Sequence, residues 1–245
     1  MSVGVIIVGA AGRMGQALQR LMADYPDLHH FANIELESSL PNSAAGAIVV
    51  VDFSSPAGFR RALSWCVEHK CPLVSGTTGL GEDDERALRQ AAGSIPVLWS
   101  ANMSRGINVM FQGVQAVASR LGTDADAEVL ETHHRNKLDA PSGTALALGQ
   151  CIANARGQSD DVLSGNASRS GARKAGEIGF AVRRGGDIAG EHSATFYLDG
   201  ECVEITHRAT SRDIFARGAL QVVAWIADQH PGCYQMADVH FPNPE

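Results

Sequence analysis

The sequence predicts an α/β chain in two parts: a doubly wound parallel sheet, and a second α+β domain with a mixed sheet. Three observations carry this. Short apolar runs alternate with helical patterns over the first hundred residues, the signature of a parallel sheet with right-handed crossovers. A glycine turn follows the first apolar run directly. After Ser104 the pattern changes to long helices and a run of strand candidates, two of them joined by Asp199-Gly200, a hairpin signal.

Val3–Val8 is an apolar run of strand length with a β-branched bias. Gly9-Ala10-Ala11-Gly12-Arg13-Met14-Gly15 follows, and Leu18, Leu21 and Met22 continue at helical spacing. Strand, glycine turn and helix in this order form a Rossmann-like dinucleotide motif. Gly9 permits the tight turn, Gly12 lets backbone approach a pyrophosphate, and Gly15 lets helix and strand pack closely. The spacing is GxxGxxG rather than GxGxxG, and such turns also serve structure alone. A dinucleotide fold needs an acidic residue at the end of its second strand to hold the adenosine ribose. Phe31–Ile34 reads as that strand and Glu35 ends it; the alternative is a surface carboxylate at a strand end. Leu36 stands where a cation would grip a 2′-phosphate, so NADH is favoured over NADPH, with Arg13 a partial substitute.

Ala47–Phe53 reads as a buried strand and Phe59–His69 as a helix. Pro72–Ser75 is a short strand running into Gly76-Thr77-Thr78-Gly79. Glu82–Ala92 is a helix. Ile95–Trp99 is a strand opening into Ser100-Ala101-Asn102-Met103. Ligands bind at the carboxyl ends of such strands. Both loops carry small polar groups suited to nicotinamide and ribose, although either could be a plain turn.

In the second part Ile107–Leu121 predicts a long helix, and Ala127–Thr132 a strand that delivers the most informative segment of the chain. There His133, His134, Arg135 and Lys137 place four nitrogen side chains within five positions, and Pro141-Ser142-Gly143-Thr144 follows. Ser142 is a good N-cap for the helix that runs to Ala155. Cations just upstream of a helix N-terminus describe a pocket for a carboxylate or phosphate. A histidine there can move a proton near neutral pH. The plainer alternative is exposed loop histidines and an ordinary helix entry. Residues 156–176 read as a long loop. Ile178–Arg184, His192–Leu198 and Glu201–His207 read as strands, and 213–228 as a helix returning to the first domain. The domains are thus 1–104 with 213–245 for dinucleotide, and 105–212 for substrate binding and oligomerisation. The glycine turn and the 133–144 segment are expected to face each other across an interdomain cleft.

The bulk numbers set limits. A formal net charge of −7 without a basic run argues against nucleic-acid binding. No window approaches ~18 consecutive apolar residues, so no membrane span is expected. The N-terminus lacks the basic start and cleavage site of a signal peptide. Five dispersed cysteines without a CxxC pair predict reduced thiols in a cytoplasmic protein and no metal site.

These motifs together resemble the 4-hydroxy-tetrahydrodipicolinate reductase (dihydrodipicolinate reductase) family, over nearly the whole chain. Glu131–Ala145 is close to the family's E-x-H-H-x-x-K-x-D-A-P-S-G-T-A signature, and Gly9–Gly15 to its G-x-x-G-R-M-G turn. The Gly76–Gly79, Ser100–Asn102, Arg184–Ile188, Gly190–His192 and His207–Ala209 segments are also similar. The resemblance implies a two-domain, homotetrameric, NAD(P)H-dependent enzyme of lysine and diaminopimelate biosynthesis acting on a small cyclic dicarboxylate. It implies His133 as proton donor and Lys137 as a hydrogen-bond or proton donor that also holds a carboxylate. His134, Ser142, Gly143 and Thr144 would bind the dianion. Gly9, Ala10, Ala11, Gly12, Arg13, Met14, Glu35, Gly76, Thr77, Thr78, Ser100, Ala101, Asn102 and Met103 would line the cofactor groove. The chain departs from the pattern in its short connection after Ile34, in Met103 where an aromatic residue is common, and in Leu36. Two other readings of the same plan are an aspartate- or homoserine-type dehydrogenase and a non-catalytic nucleotide-sensing protein.

Overall fold

The computed structural model describes residues 2–35, 41, 46, 48–164 and 172–239. The chain divides into two compact units, Met1–Arg105 with Asp213–Glu245, and Gly106–Arg212.

The first unit opens with β1 (Val3–Val8), α1 (Arg13–Leu21), β2 (Leu28–Ile34), β3 (Ile48–Asp52) and α2 (Pro56–His69). It continues through β4 (Leu73–Ser75), α3 (Glu82–Ala91) and β5 (Pro96–Trp99). The chain then passes through α4 (Arg105–Leu121), β6 (Asp126–His133), α5 (Gly143–Ala155), β7 (Leu163–Ser164), β8 (Ile178–Arg184), β9 (Gly190–Leu198) and β10 (Glu201–Ala209). It returns with α6 (Asp213–Ile226) and β11 (Gly232–Tyr234).

Six parallel strands in the order β11-β5-β4-β3-β1-β2 form the first sheet. β1 is buried on both faces, which is why it reads as a continuous apolar run. Val5 and Ile7 pack with Leu220 and Val223 of α6. Ile6 and Val8 face the opposite layer, with Phe59 of α2 and Leu73. β1 has β2 on one side and β3 on the other, so the strand order reverses there. Open α/β sheets bind ligands at the carboxyl ends of strands flanking such a reversal.

The second sheet has the order β10-β9-β6-β8-β7 and is mixed, with β8 parallel to β6 and β9 antiparallel to it. One face packs against α4 and α5 through Ile107, Val114, Val129, Leu148, Ile152 and Phe196. Register pairs Glu131 with His192, His192 with His207, and His133 with Arg184.

The doubly wound sheet, the mixed sheet and the 199–200 hairpin match the sequence expectation. Some details differ. β11 extends the parallel sheet beyond β5 and was not foreseen, because three residues are too few to show a period. The expected 156–176 loop contains β7, a two-residue strand on β8, with equally little pattern. The strand foreseen from Ala47 is described from Ile48. Ala47, Leu36 and residues 165–171 lie outside the described residues.

Candidate active site

In the first unit the glycine turn ends β1. Gly9 has φ +80°, a conformation that favours glycine, and a Cβ there would lie 2.7 Å from the Phe53 carbonyl oxygen. A Cβ on Gly15 would lie 2.4 Å from the Gly9 carbonyl oxygen, so α1 approaches the turn as closely as backbone allows. Gly12 caps α1 with no side chain over the helix start. Ala10 is buried, Ala11, Gly12 and Arg13 are exposed and Met14 is half-buried. Glu35, just past β2, accepts a hydrogen bond from Ala11 N–H at 2.7 Å. A cavity of about 240 Å³ opens here, lined among others by Gly9, Gly12, Glu35, Phe53, Ser54 and Arg61. A dinucleotide fits these groups: bare backbone at a helix start for phosphates, and a carboxylate at the strand end for ribose hydroxyls.

The two neighbouring loops are held from beneath by Asp52, which is fully buried at the end of β3. It accepts hydrogen bonds from Ser75 Oγ (2.7 Å), Thr77 Oγ1 (2.8 Å) and Ser54 Oγ. Burial pushes its carboxyl above the usual range, and the three hydroxyls oppose that. The Thr77 hydroxyl is thus committed to Asp52 and Ser54 N–H, whereas Thr78 is exposed. Gly76 packs against the Phe53 ring, where any Cβ would collide. Ser100 and Asn102 brace their own turn, Ser100 Oγ donating to the Asn102 carbonyl (2.9 Å) and Asn102 Oδ1 accepting from Ser104 N–H (3.0 Å). Ala101 is exposed. Met103 is only 1% exposed and packs in the core with Ala216 and Ala219, and its carbonyl oxygen is covered by Gly218 of α6.

In the second unit β6 delivers Glu131 and His133 two residues apart on one face of the sheet. His133 Nδ1 lies 2.6 Å from Glu131 Oε2. Arg184, beside His133 on β8, donates to both Glu131 oxygens at 2.7 Å. Burial raises the Glu131 carboxyl, but Arg184, His133 and the Ser142 N–H outweigh it and hold it below the usual range. His192 meets the His133 ring edge-on, centroids 5.1 Å apart. Burial first, then the neighbouring His133, push His192 down to about 4, so it is neutral near pH 7.

Ser142 caps α5, its Oγ accepting from Ala145 N–H and lying 3.2 Å from His192 Nε2. Its own N–H goes to Glu131 (3.0 Å). The Ser142 side chain is thus buried between the helix start and His192. Gly143 and Thr144 begin α5 and so sit at the positive end of its dipole. Lys137 Nζ pairs with Asp139 at 2.9 Å. His134 is half-buried, its N–H donating to the Ile188 carbonyl (2.8 Å).

The structure thus brings His133, Ser142 and the start of α5 together. It adds Glu131, Arg184 and His192, which were not singled out as site residues from sequence. The i, i+2 spacing of Glu131 and His133 on a strand was a usable signal for the first. Asp52 and Arg61 in the first unit were missed as well. Among the described residues no group of three or more His, Cys, Asp or Glu could hold a metal, and no helix is long and apolar enough to cross a membrane.

A dinucleotide-type sheet, carried on one chain with a carboxylate-held histidine beside a helix start, defines the class of two-part NAD(P)H-dependent oxidoreductases. Within that class the chain belongs to the dihydrodipicolinate reductase family. The family's N-terminal model matches residues 3–103 and its C-terminal model residues 106–240. The chain is 42% identical to the 4-hydroxy-tetrahydrodipicolinate reductase of Zymomonas mobilis, over 97% of each chain. It is 38% identical to that of Psychrobacter arcticus, over 97% of this chain and 94% of the relative. Among solved structures, the dipicolinate-bound dihydrodipicolinate reductase of Paenisporosarcina sp. TG-14 superposes with a TM-score of 0.75 at 19% identity, covering 96% of this chain and 98% of that one. A myo-inositol dehydrogenase of Corynebacterium glutamicum shares the fold at a TM-score of 0.56 and 11% identity, covering 95% of this chain and 90% of that one.

Proposed function

We propose that this chain reduces 4-hydroxy-tetrahydrodipicolinate to tetrahydrodipicolinate with NADH or NADPH, in lysine and diaminopimelate biosynthesis. The observation that carries the reading is His133, seated on buried Glu131 beside the start of α5, in a family member.

Loss of water from the 4-hydroxy compound leaves a conjugated ring carrying two carboxylates. The nicotinamide, when bound, supplies the hydride for the ring C4. The neighbouring carbon gains electron density and must take a proton. His133 gives it from Nε2, because Nδ1 is engaged by Glu131. The Gly143 and Thr144 N–H groups take one carboxylate at the positive end of α5. Lys137 exchanges Asp139 for the other, and His134 completes the cradle. Charge-assisted hydrogen bonds of this kind contribute about 1.5–3 kcal/mol each. Two or three suffice to orient the ring.

On the cofactor side, the glycine turn from Gly9 to Met14 would hold the pyrophosphate, Glu35 the adenosine ribose, and the 76–78 and 100–103 loops the nicotinamide end. Glu35 favours NADH, since a 2′-phosphate would face its carboxylate. Arg61 lines the same cavity and supplies a cation for that phosphate, so NADPH is accepted too. Arg61→Ala is therefore expected to weaken NADPH binding more than NADH binding in fluorescence titrations; equal losses remove Arg61 from this role. The reading carries with it a cytoplasmic location and a homotetramer, the latter open to light scattering.

The test is nucleotide oxidation with freshly generated 4-hydroxy-tetrahydrodipicolinate. Turnover with either nucleotide is expected. NADH binding without turnover would favour a nucleotide sensor, and turnover only with an amino-acid substrate would favour an aspartate-type dehydrogenase.

A further inference from the structure

We propose that Glu131 is the positioning residue of this site: it fixes which nitrogen of His133 carries the ring hydrogen and ties that ring to the start of α5. The inference rests on the function proposed above and names how its proton donor is held.

Glu131 is 1% exposed, and each of its oxygens has two partners. Oε2 takes His133 Nδ1 (2.6 Å) and Arg184 Nη1 (2.7 Å). Oε1 takes Arg184 Nη2 (2.7 Å) and the Ser142 N–H (3.0 Å). A carboxylate with this set around it is an acceptor only, so the hydrogen between Glu131 and His133 belongs to Nδ1. Nε2 is left as the nitrogen that gives and regains a proton. It points toward Gly190, where a Cβ would stand 3.0 Å away, so glycine keeps that side of the ring clear.

The same carboxylate reaches the rest of the cradle. Arg184 Nη2 also donates to the Asp139 carbonyl at 2.6 Å, which holds the segment carrying Lys137. Ser142, bound to Glu131 through its N–H, caps α5 through its hydroxyl. One buried charge therefore sets the proton donor, the lysine segment and the helix start relative to one another. Arginine suits the partner position because its planar fork meets both carboxylate oxygens at once.

The experiment is long-range ¹H–¹⁵N correlation on the ¹⁵N-histidine-labelled protein, with His133 assigned by its loss in His133→Gln, alongside steady-state kinetics. Neutral His133 in the unmodified protein is expected as the Nδ1–H tautomer. Glu131→Gln is expected to lose that preference and to lower kcat by about 10²-fold or more, as when a triad carboxylate is replaced and its imidazole adopts the wrong tautomer. KM is expected to change far less, and Glu131→Asp to recover part of kcat. An Nε2–H tautomer in the unmodified protein overturns the proposal, even if the variants fail to fold. A Glu131→Gln protein with altered stability but unchanged tautomer and kcat also overturns it, by showing a merely structural role. Failure of the unmodified protein to turn over substrate while His133 shows the Nδ1–H tautomer sinks the functional reading instead, and leaves the positioning of His133 standing.

Discussion

The two candidate sites on this chain are built from opposite materials. The glycine turn of the first unit works by leaving side chains out. Gly9, Gly12 and Gly15 expose backbone, and contacts as short as 2.4 Å to a hypothetical Cβ show how little room remains. The site of the second unit works by charge. Glu131 and Arg184 are locked together in or near the interior, with His133 and His192 against them. A pyrophosphate is recognised by many weak backbone donors, which any sequence with enough glycine can supply. A proton transfer needs one imidazole in one orientation and one tautomer, which only a fixed set of side chains provides. The first site should therefore be sensitive to bulk, and the second to charge and protonation.

The largest effect that sharpens this contrast lies at His133. His133→Gln removes the imidazole of the proposed proton donor without adding bulk, and turnover is expected to fall about 10²–10⁴-fold, the range for a lost acid–base group. NADH affinity measured by titration should stay the same. A kcat close to that of the unmodified enzyme would remove His133 from the chemistry.

The next effect is on stability. His192 titrates near 4 when folded, against an ordinary value of 6.5, so the unfolded chain binds the extra proton between these values. The resulting stability is present above about pH 6.5 and is lost as pH falls toward 4, on the order of 3 kcal/mol in all. Glu131, whose carboxyl is depressed, loses stability in the same direction, so the informative quantity is a difference. Urea unfolding at pH 7.5 and 5 should show a shallower pH dependence in His192→Gln than in the unmodified protein. Parallel curves would contradict the assignment.

Lys137→Ala should weaken substrate binding by about 1.5–3 kcal/mol, one charge-assisted hydrogen bond, with a smaller loss of kcat. Unaltered KM and kcat would leave the lysine as no more than the partner of Asp139. Gly15→Ala is the matching change in the first unit. Its Cβ meets backbone, so overpacking is expected to cost about 1–3 kcal/mol and to weaken NADH binding. Calorimetric titration with dipicolinate should be unaffected by it. Loss of dipicolinate binding in step with NADH binding would break the separation of the two sites.

Sequence legibility follows the same division. Glycine spacing is local, so the turn from Gly9 to Gly15, the strand before it and Glu35 after β2 could all be read directly. The N-cap at Ser142 was legible for the same reason. Other features depend on parts of the chain brought together only by sheet register. His133 faces Arg184, and Glu131 faces His192, across strands more than fifty residues apart in sequence. No spacing rule announces such pairs, so the network behind His133 was invisible while its member in the His-His-x-x-Lys segment was not. Met103 and the Ser142 hydroxyl show the converse. Their place in the motif suggested ligand contact, whereas their burial depends on packing that no local pattern reveals.

The central claim is that a member of this family with a Glu131-held histidine delivers the proton for reduction of a cyclic dicarboxylate. The most direct measurement is kcat for nucleotide oxidation with freshly generated 4-hydroxy-tetrahydrodipicolinate, in the unmodified protein and in His133→Gln side by side. Brisk turnover in the first and a drop of about 10²-fold or more in the second is the predicted result. No turnover in the unmodified protein, or equal turnover in both, would contradict it.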